Sequence, residues 1–116
     1  PSEVTIIADK NTDINYILTS MVAQSEHGEN SQSILVSQDK ILLEKIKKGI
    51  KKIVVNLPRQ KIILKSLKKN GLIIIAKNKK QIADIVNTIS PEHLEILNKD
   101  FKFFVNKIVN VGSIGI

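Results

Sequence analysis

Five apolar residues stand in a row at positions 72–76 (LIIIA). A strand with one wet face alternates apolar and polar residues; an unbroken run is the mark of a strand covered on both faces, as in parallel sheets. Parallel neighbours cannot be joined by a hairpin, so longer crossovers, usually helices, must run between them. The rest of the chain supplies such crossovers. Short apolar runs recur at 4–8 (VTIIA) and 33–37 (SILVS), and stretches with helical spacing separate them.

The first helix is expected after Asn11 or Thr12 as cap, with Ile14, Ile17, Leu18, Met21 and Val22 inward. It should fade near His27-Gly28, where glycine can take the left-handed closing conformation. A second helix starts at about Gln38, with Leu42, Ile46, Ile50 and Ile53 inward and many Lys outward. Pro58 fits the first turn of a third, which carries Ile63 and Leu67 inward and ends at Asn70-Gly71. Asn78 with Gln81 resembles a capping box and opens a helix with Ile82, Ile85, Val86 and Ile89, stopped by Pro91. Residues 93–97 make a weaker strand, Asp100 can cap a helix carrying Phe103, Phe104 and Ile108, and 112–116 read as a last strand. The pattern around Ile6-Ile7-Ala8 is echoed around Ile74-Ile75-Ala76, as expected of βα units in general or of a duplication. The alternation predicts one α/β domain over 1–116, a three-layer sandwich with a mostly parallel sheet. No Pro/Gly/Ser-rich linker divides it.

Composition narrows the function. The 116 residues suffice for one domain and are too few for two ordinary ones. There are no cysteines, which excludes disulfides, Cys-ligated zinc and Cys nucleophiles. No apolar run is long enough to span a membrane and no signal peptide is visible, so a cytoplasmic location is expected. The net charge of +7 invites a nucleic-acid reading. Against it, only Arg59 among the 18 basic residues carries the bidentate fork that reads phosphates and guanine edges. Aromatic residues, the stacking platforms for bases, are 3%. Lys, Ile and Asn supply 48 of the 116 residues, and all three have A/T-rich codons, so genome bias accounts for the Lys excess. No nucleic-acid partner is expected. No G-x-G-x-x-G or G-x-x-x-x-G-K-[ST] loop is present.

Two constellations can carry chemistry. Gln24 and His27 stand three apart at the end of the first helix, hence on one face. An amide oxygen and an imidazole nitrogen can both ligate a divalent cation, yet a His just before a helix-ending Gly is more often a capping cation. Glu92-His93 follow Pro91 directly. Neighbours in a regular strand point to opposite faces, so a shared reaction needs a bend, which Pro91 makes plausible. Such a pair can exchange protons near neutral pH; the plain alternative is a solvated Glu beside a half-buried His. Ser2 stands just before the first strand, and Ser31-Gln32 before the second. Asp9 stands at the carboxyl end of the first strand, where α/β sheets gather function, or it caps the loop there.

Taken together, the motifs resemble a family. Pro1-Ser2-Glu3-Val4, Ile7-Ala8-Asp9, Ala23-Gln24-Ser25-Glu26-His27-Gly28, Ser31-Gln32-Ser33-Ile34-Leu35-Val36, Ser90-Pro91-Glu92-His93-Leu94-Glu95 and Val111-Gly112-Ser113-Ile114 occur in this order. The whole chain resembles an internal segment of histidinol dehydrogenase. The resemblance implies an incomplete Rossmann-like fold and an enzyme of histidine biosynthesis. Such enzymes oxidise L-histidinol to L-histidine through the aldehyde, using two NAD and a bound zinc, as homodimers whose sites draw on both subunits. By resemblance, Gln24 and His27 are metal ligands, and Ser2, Gln24, His27 and His93 contact substrate. His93 is then the general base and Glu92 activates the water that attacks the aldehyde.

The Asp and His that complete the metal site, and most of the NAD-binding region, come from elsewhere in the family's chain. The segment alone is therefore expected to be inactive. Where the family usually has a bulky apolar residue, position 115 is Gly115, and a frayed last strand is expected there. The alternative reading is a non-catalytic α/β module that binds an acidic partner through its Lys-rich helices.

Overall fold

The computed structural model describes residues 3–26 and 30–116. Five parallel strands form one sheet in the order β3-β2-β1-β4-β5. The strands are β1 (Glu3–Ala8), β2 (Gln32–Ser37), β3 (Gly71–Ile75), β4 (His93–Leu97) and β5 (Ser113–Gly115). This is the doubly wound order of two mononucleotide-binding halves with its last strand missing. The helices are α1 (Ile14–Ser25), α2 (Lys40–Val54), α3 (Gln60–Asn70), α4 (Lys79–Ile89) and α5 (Phe101–Lys107). None of them is long and apolar enough to cross a membrane.

Alternation along β1 divides the core into two layers. Val4, Ile6 and Ala8 pack with Ile17, Leu18 and Met21 of α1 and with Leu42, Leu43 and Ile46 of α2. Ile63 of α3 joins that side through Val22 and Val54. Ile7 points the other way, into a cluster with Ile82, Ala83 and Val86 of α4, Leu94 and Ile96 of β4, and Phe104. Helices α1–α3 thus cover one face and α4–α5 the other, giving the three expected layers.

Local sequence explains most element ends, with four corrections. The α1 cap is Asp13, whose carboxylate accepts from Asn15 N at 2.9 Å. Asn11 and Thr12 are taken by the preceding turn instead: both backbone N–H groups donate to Asp9, and the Thr12 hydroxyl donates to Leu97 O. Pro58 lies ahead of α3, not in its first turn. Gln60 N donates to Leu57 O at 3.2 Å, a β-turn whose second position suits the fixed φ of proline. Asp100 heads α5 without a side-chain capping bond; its carboxylate stands 3.7 Å from Lys79 Nζ.

The fourth correction concerns β3. Its apolar run suggests burial on both faces, but β3 is an edge strand, with Leu72 51% and Ile75 53% exposed. The strand buried on both faces is β1, which has paired neighbours on either side. The last strand is formed, though only three residues long. Asn78 does cap α4, accepting from Gln81 N at 2.8 Å, while Gln81 Oε1 reaches back to Lys77 N.

Candidate active site

The β1–β4 boundary is where strand order reverses, and α/β sheets commonly bind ligands at the carboxyl ends of strands there. A cleft of about 350 Å³ does lie at that end, lined by Asp9, Ser37, Asp39 and Asn98 among others. Its carboxylates are already engaged. Asp9 accepts from Asn11 N and Lys99 N at 2.8 Å each, stapling the loop after β1 to the loop after β4. Asp39 caps α2 through Ile41 N and Leu42 N. Both are structural in this chain.

The motif residues gather at the opposite end, where the strands begin. Helix α4 ends in Ser90, which holds a left-handed conformation (φ 51°), and Pro91 follows, buried. Left-handed backbone is costly for a residue with a Cβ and needs support; here Ser90 N donates to Val86 O and Ser90 Oγ to Asn87 O. The chain therefore bends before β4. Glu92 lies outside the regular strand, which starts at His93. Both side chains are exposed.

Neighbouring strands pin this bend from both sides. The Glu3 carboxylate, at the start of β1, accepts from Glu92 N. On the other side Gly112 N donates to Pro91 O, and Ser113 N donates to Glu92 O at 2.8 Å. Gly112 is required by this close approach, since a Cβ there would stand 2.7 Å from Glu92 O. Ser113 pairs with His93 in register, and its Oγ lies 2.9 Å from His93 Nδ1. Gly115 brings no side chain against the ring; a Cβ there would be 3.9 Å from His93 Cε1.

Helix α1 reaches the same end because it returns from the carboxyl end of β1 to the start of β2. Its register against β4 is fixed by Glu95, whose two carboxylate oxygens accept from Tyr16 OH at 2.8 Å and Ser20 Oγ at 2.9 Å. Tyr16, Ser20 and Gln24 are four apart, one stripe of the helix. One further step along that stripe advances about 6 Å, and two residues back along β4 cover about 6.6 Å. Gln24 and His93 therefore share one end and one face of the sheet. Gln24 is half-buried, and its Nε2 is a buried atom without a hydrogen-bond partner among the described residues. Leaving a buried amide donor unpaired costs about 1–3 kcal/mol, so a hydrogen-bond acceptor is expected to meet it. Ser2 and His27 lie outside the described residues.

Sequence reasoning passed over Glu3, and also Tyr16 and Ser20, although the 16-20-24 spacing on one helix was there to be read. The Glu95 contact has a measurable consequence. Hydrogen bonding to Glu95, then its negative charge and slight burial, raise the Tyr16 phenol above its ordinary value of 10.0. The contribution of the neutral phenol to stability is thus fully present below that value and is lost as pH climbs through the raised folded-state value. Tyr16 is the sole tyrosine, so tyrosinate absorbance reads it directly. The folded chain should ionise at higher pH than the urea-unfolded chain, and Glu95→Gln should narrow the gap; coincident curves would contradict the bridge.

Comparison with known proteins decides the family. The histidinol dehydrogenase family model matches residues 1–116. The chain belongs to the histidinol dehydrogenase family. It is 41% identical to histidinol dehydrogenase of Pelagibacter ubique (strain HTCC1062) over 114 residues, 98% of this chain and 27% of that protein. Against the Prochlorococcus marinus histidinol dehydrogenase it is 43% identical over 115 residues, 98% of this chain and 26% of that protein. The crystal structure of histidinol dehydrogenase from Elizabethkingia anophelis superposes with a TM-score of 0.91 at 28% identity, covering 98% of this chain and 26% of that one. The chain thus spans about a quarter of the length of the histidinol dehydrogenases it matches.

Proposed function

We propose that this chain supplies the Gln24/His27 half of a zinc site and the Glu92–His93 proton-transfer pair of an NAD-dependent histidinol dehydrogenase. The observation that carries the reading is the Glu95 bridge, which sets Gln24 and His93 on one end and one face of the sheet. The donor set fits zinc in kind, since an amide oxygen and an imidazole nitrogen suit a borderline cation. It does not fit in number. Protein zinc sites take three or four protein ligands, and no group of three His, Cys, Asp or Glu able to hold a metal occurs among the described residues.

When bound, zinc would be held in part by Gln24 and His27 and would supply a Lewis acid that orients substrate, and NAD would supply the hydride acceptor. The chain's own residues handle protons. His93 takes the proton of the substrate hydroxyl as hydride leaves the carbinol carbon, giving the aldehyde. Glu92 would take a proton from the water that adds to the aldehyde on the way to the carboxylate. Ser2 would contact substrate. Partner-subunit residues would complete the site in a homodimer.

Two measurements test this. The chain alone, mixed with zinc, NAD and L-histidinol, should produce no NADH, because a half-built metal site loses most of its affinity; sustained turnover would overturn the incomplete-site reading. Substituted for the matching stretch of the Pelagibacter ubique relative, the chain should restore histidinol-dependent NAD reduction. A folded chimaera that bound zinc yet stayed inactive would refute the assignment of Glu92 and His93.

A further inference from the structure

We propose that Ser113 is a positioning residue that biases the tautomer of His93 toward a ring proton on Nδ1 with Nε2 as the bare nitrogen. The inference rests on the function above only for what that nitrogen then does. Among the described residues, Ser113 Oγ hydrogen-bonds two atoms: His93 Nδ1 at 2.9 Å and Glu92 O at 3.3 Å. The carbonyl can only accept. A neutral imidazole has one ring proton and the hydroxyl has one.

If the hydroxyl donates to Nδ1, the ring proton sits on Nε2. One hydrogen bond is made, and two oxygens face each other with no proton between them. If the hydroxyl donates to Glu92 O, Nδ1–H donates to Ser113 Oγ. Two hydrogen bonds then run in one chain, each polarising the next. The second arrangement gains one hydrogen bond, worth a bias of about 2- to 10-fold in population. In a flexible chain histidine favours the proton on Nε2, so the bias works against the ordinary preference. The ring nitrogen not engaged by the protein is the one available to take a proton or meet a ligand.

The Ser113 oxygen is placed by backbone. Ser113 N donates to Glu92 O at 2.8 Å, and Ser113 pairs with His93 across β4 and β5. The same carbonyl therefore fixes both the strand register and the direction in which the hydroxyl proton points. Thr at this position would retain the hydroxyl; Ala would remove it and leave Nδ1–H without its acceptor.

The test is a ¹⁵N spectrum of the ring nitrogens of this 116-residue chain, at a pH where the imidazoles are neutral. It needs no zinc, NAD or histidinol, so it is independent of whether the chimaera turns over. His93 should show a higher Nδ1–H to Nε2–H ratio than it does in the urea-unfolded chain. Ser113→Ala should lower its Nδ1–H to Nε2–H ratio by about 2- to 10-fold, and Ser113→Thr should restore it. His27 should keep its ratio in all three proteins. Backbone amide shifts of β4 and β5, unchanged in Ser113→Ala, would separate loss of the hydroxyl from loss of the strand. A parent ratio no higher than that of the unfolded chain, or a ratio that ignores Ser113→Ala, would overturn the proposal. If Ser113→Ala displaced β5, the Thr variant would decide: a ratio below the parent's refutes the role, and an equal ratio supports it.

Discussion

Replacing His93 by Asn in the chimaeric enzyme is expected to lower kcat by about 10²- to 10⁴-fold, the range a positioned general base contributes. The substitution is mild in structure. His93 is exposed, and the Asn amide can still meet Ser113 Oγ, so β4 and β5 should keep their register. What disappears is the ring nitrogen assigned to take the substrate proton. KM for histidinol should change little, since loss confined to the transition state lowers kcat and kcat/KM together. His27→Asn should behave differently, with zinc content falling first. A His93→Asn chimaera that kept parental kcat would end the role assigned to this imidazole.

Phe104→Ala should be the most damaging single change to the fold. Phe104 is fully buried beneath the α4–α5 layer and meets Phe103 edge-on, with ring centroids 5.3 Å apart. Emptying such a site costs about 3–5 kcal/mol, through lost transfer energy and the cavity left behind. Domains of this size hold only about 5–15 kcal/mol in all, so the variant should sit near its unfolding threshold at 37 °C. Urea unfolding followed by circular dichroism should show a large fall in midpoint with little change in slope. Phe104→Leu should fall between. A midpoint equal to that of the parent would mean that the core on this face is not closed by Phe104.

The damage should also reach the site. Phe104 packs in one cluster with Leu94 and Ile96, on the side of β4 opposite Glu95. Strand β4 thus carries core on one face and the bridge to α1 on the other. Its alternation HLEIL is what lets one short strand do both, placing His93 and Glu95 on the α1 side.

Much of this was legible before any coordinates. Helical spacing placed Leu42 and Ile46 inward, capping chemistry placed Asn78 at the head of α4, and the weaker strand read at 93–97 is β4. What misled was local signal read without its neighbours. Asn11 and Thr12 are good caps, but Asp9 and Leu97 claim them first. Pro58 is a good first-turn residue, but the turn begun at Leu57 claims it. The run at 72–76 says that a strand is apolar, not that it is central.

Sequence alone determined the alternation of elements, which residues of the helices turn inward, and the family. Those depend on periodicity and on residue order, which the chain carries from one end to the other. Tertiary structure decided that β1 is central and β3 an edge. It decided that Glu3 and Ser113, 110 positions apart, clamp the same bend. It also decided that Glu95 ties α1 to β4, so that Gln24 comes to the end where His93 stands. No local propensity encodes these pairings, because they follow from strand order and register, which are set only when the whole sheet closes.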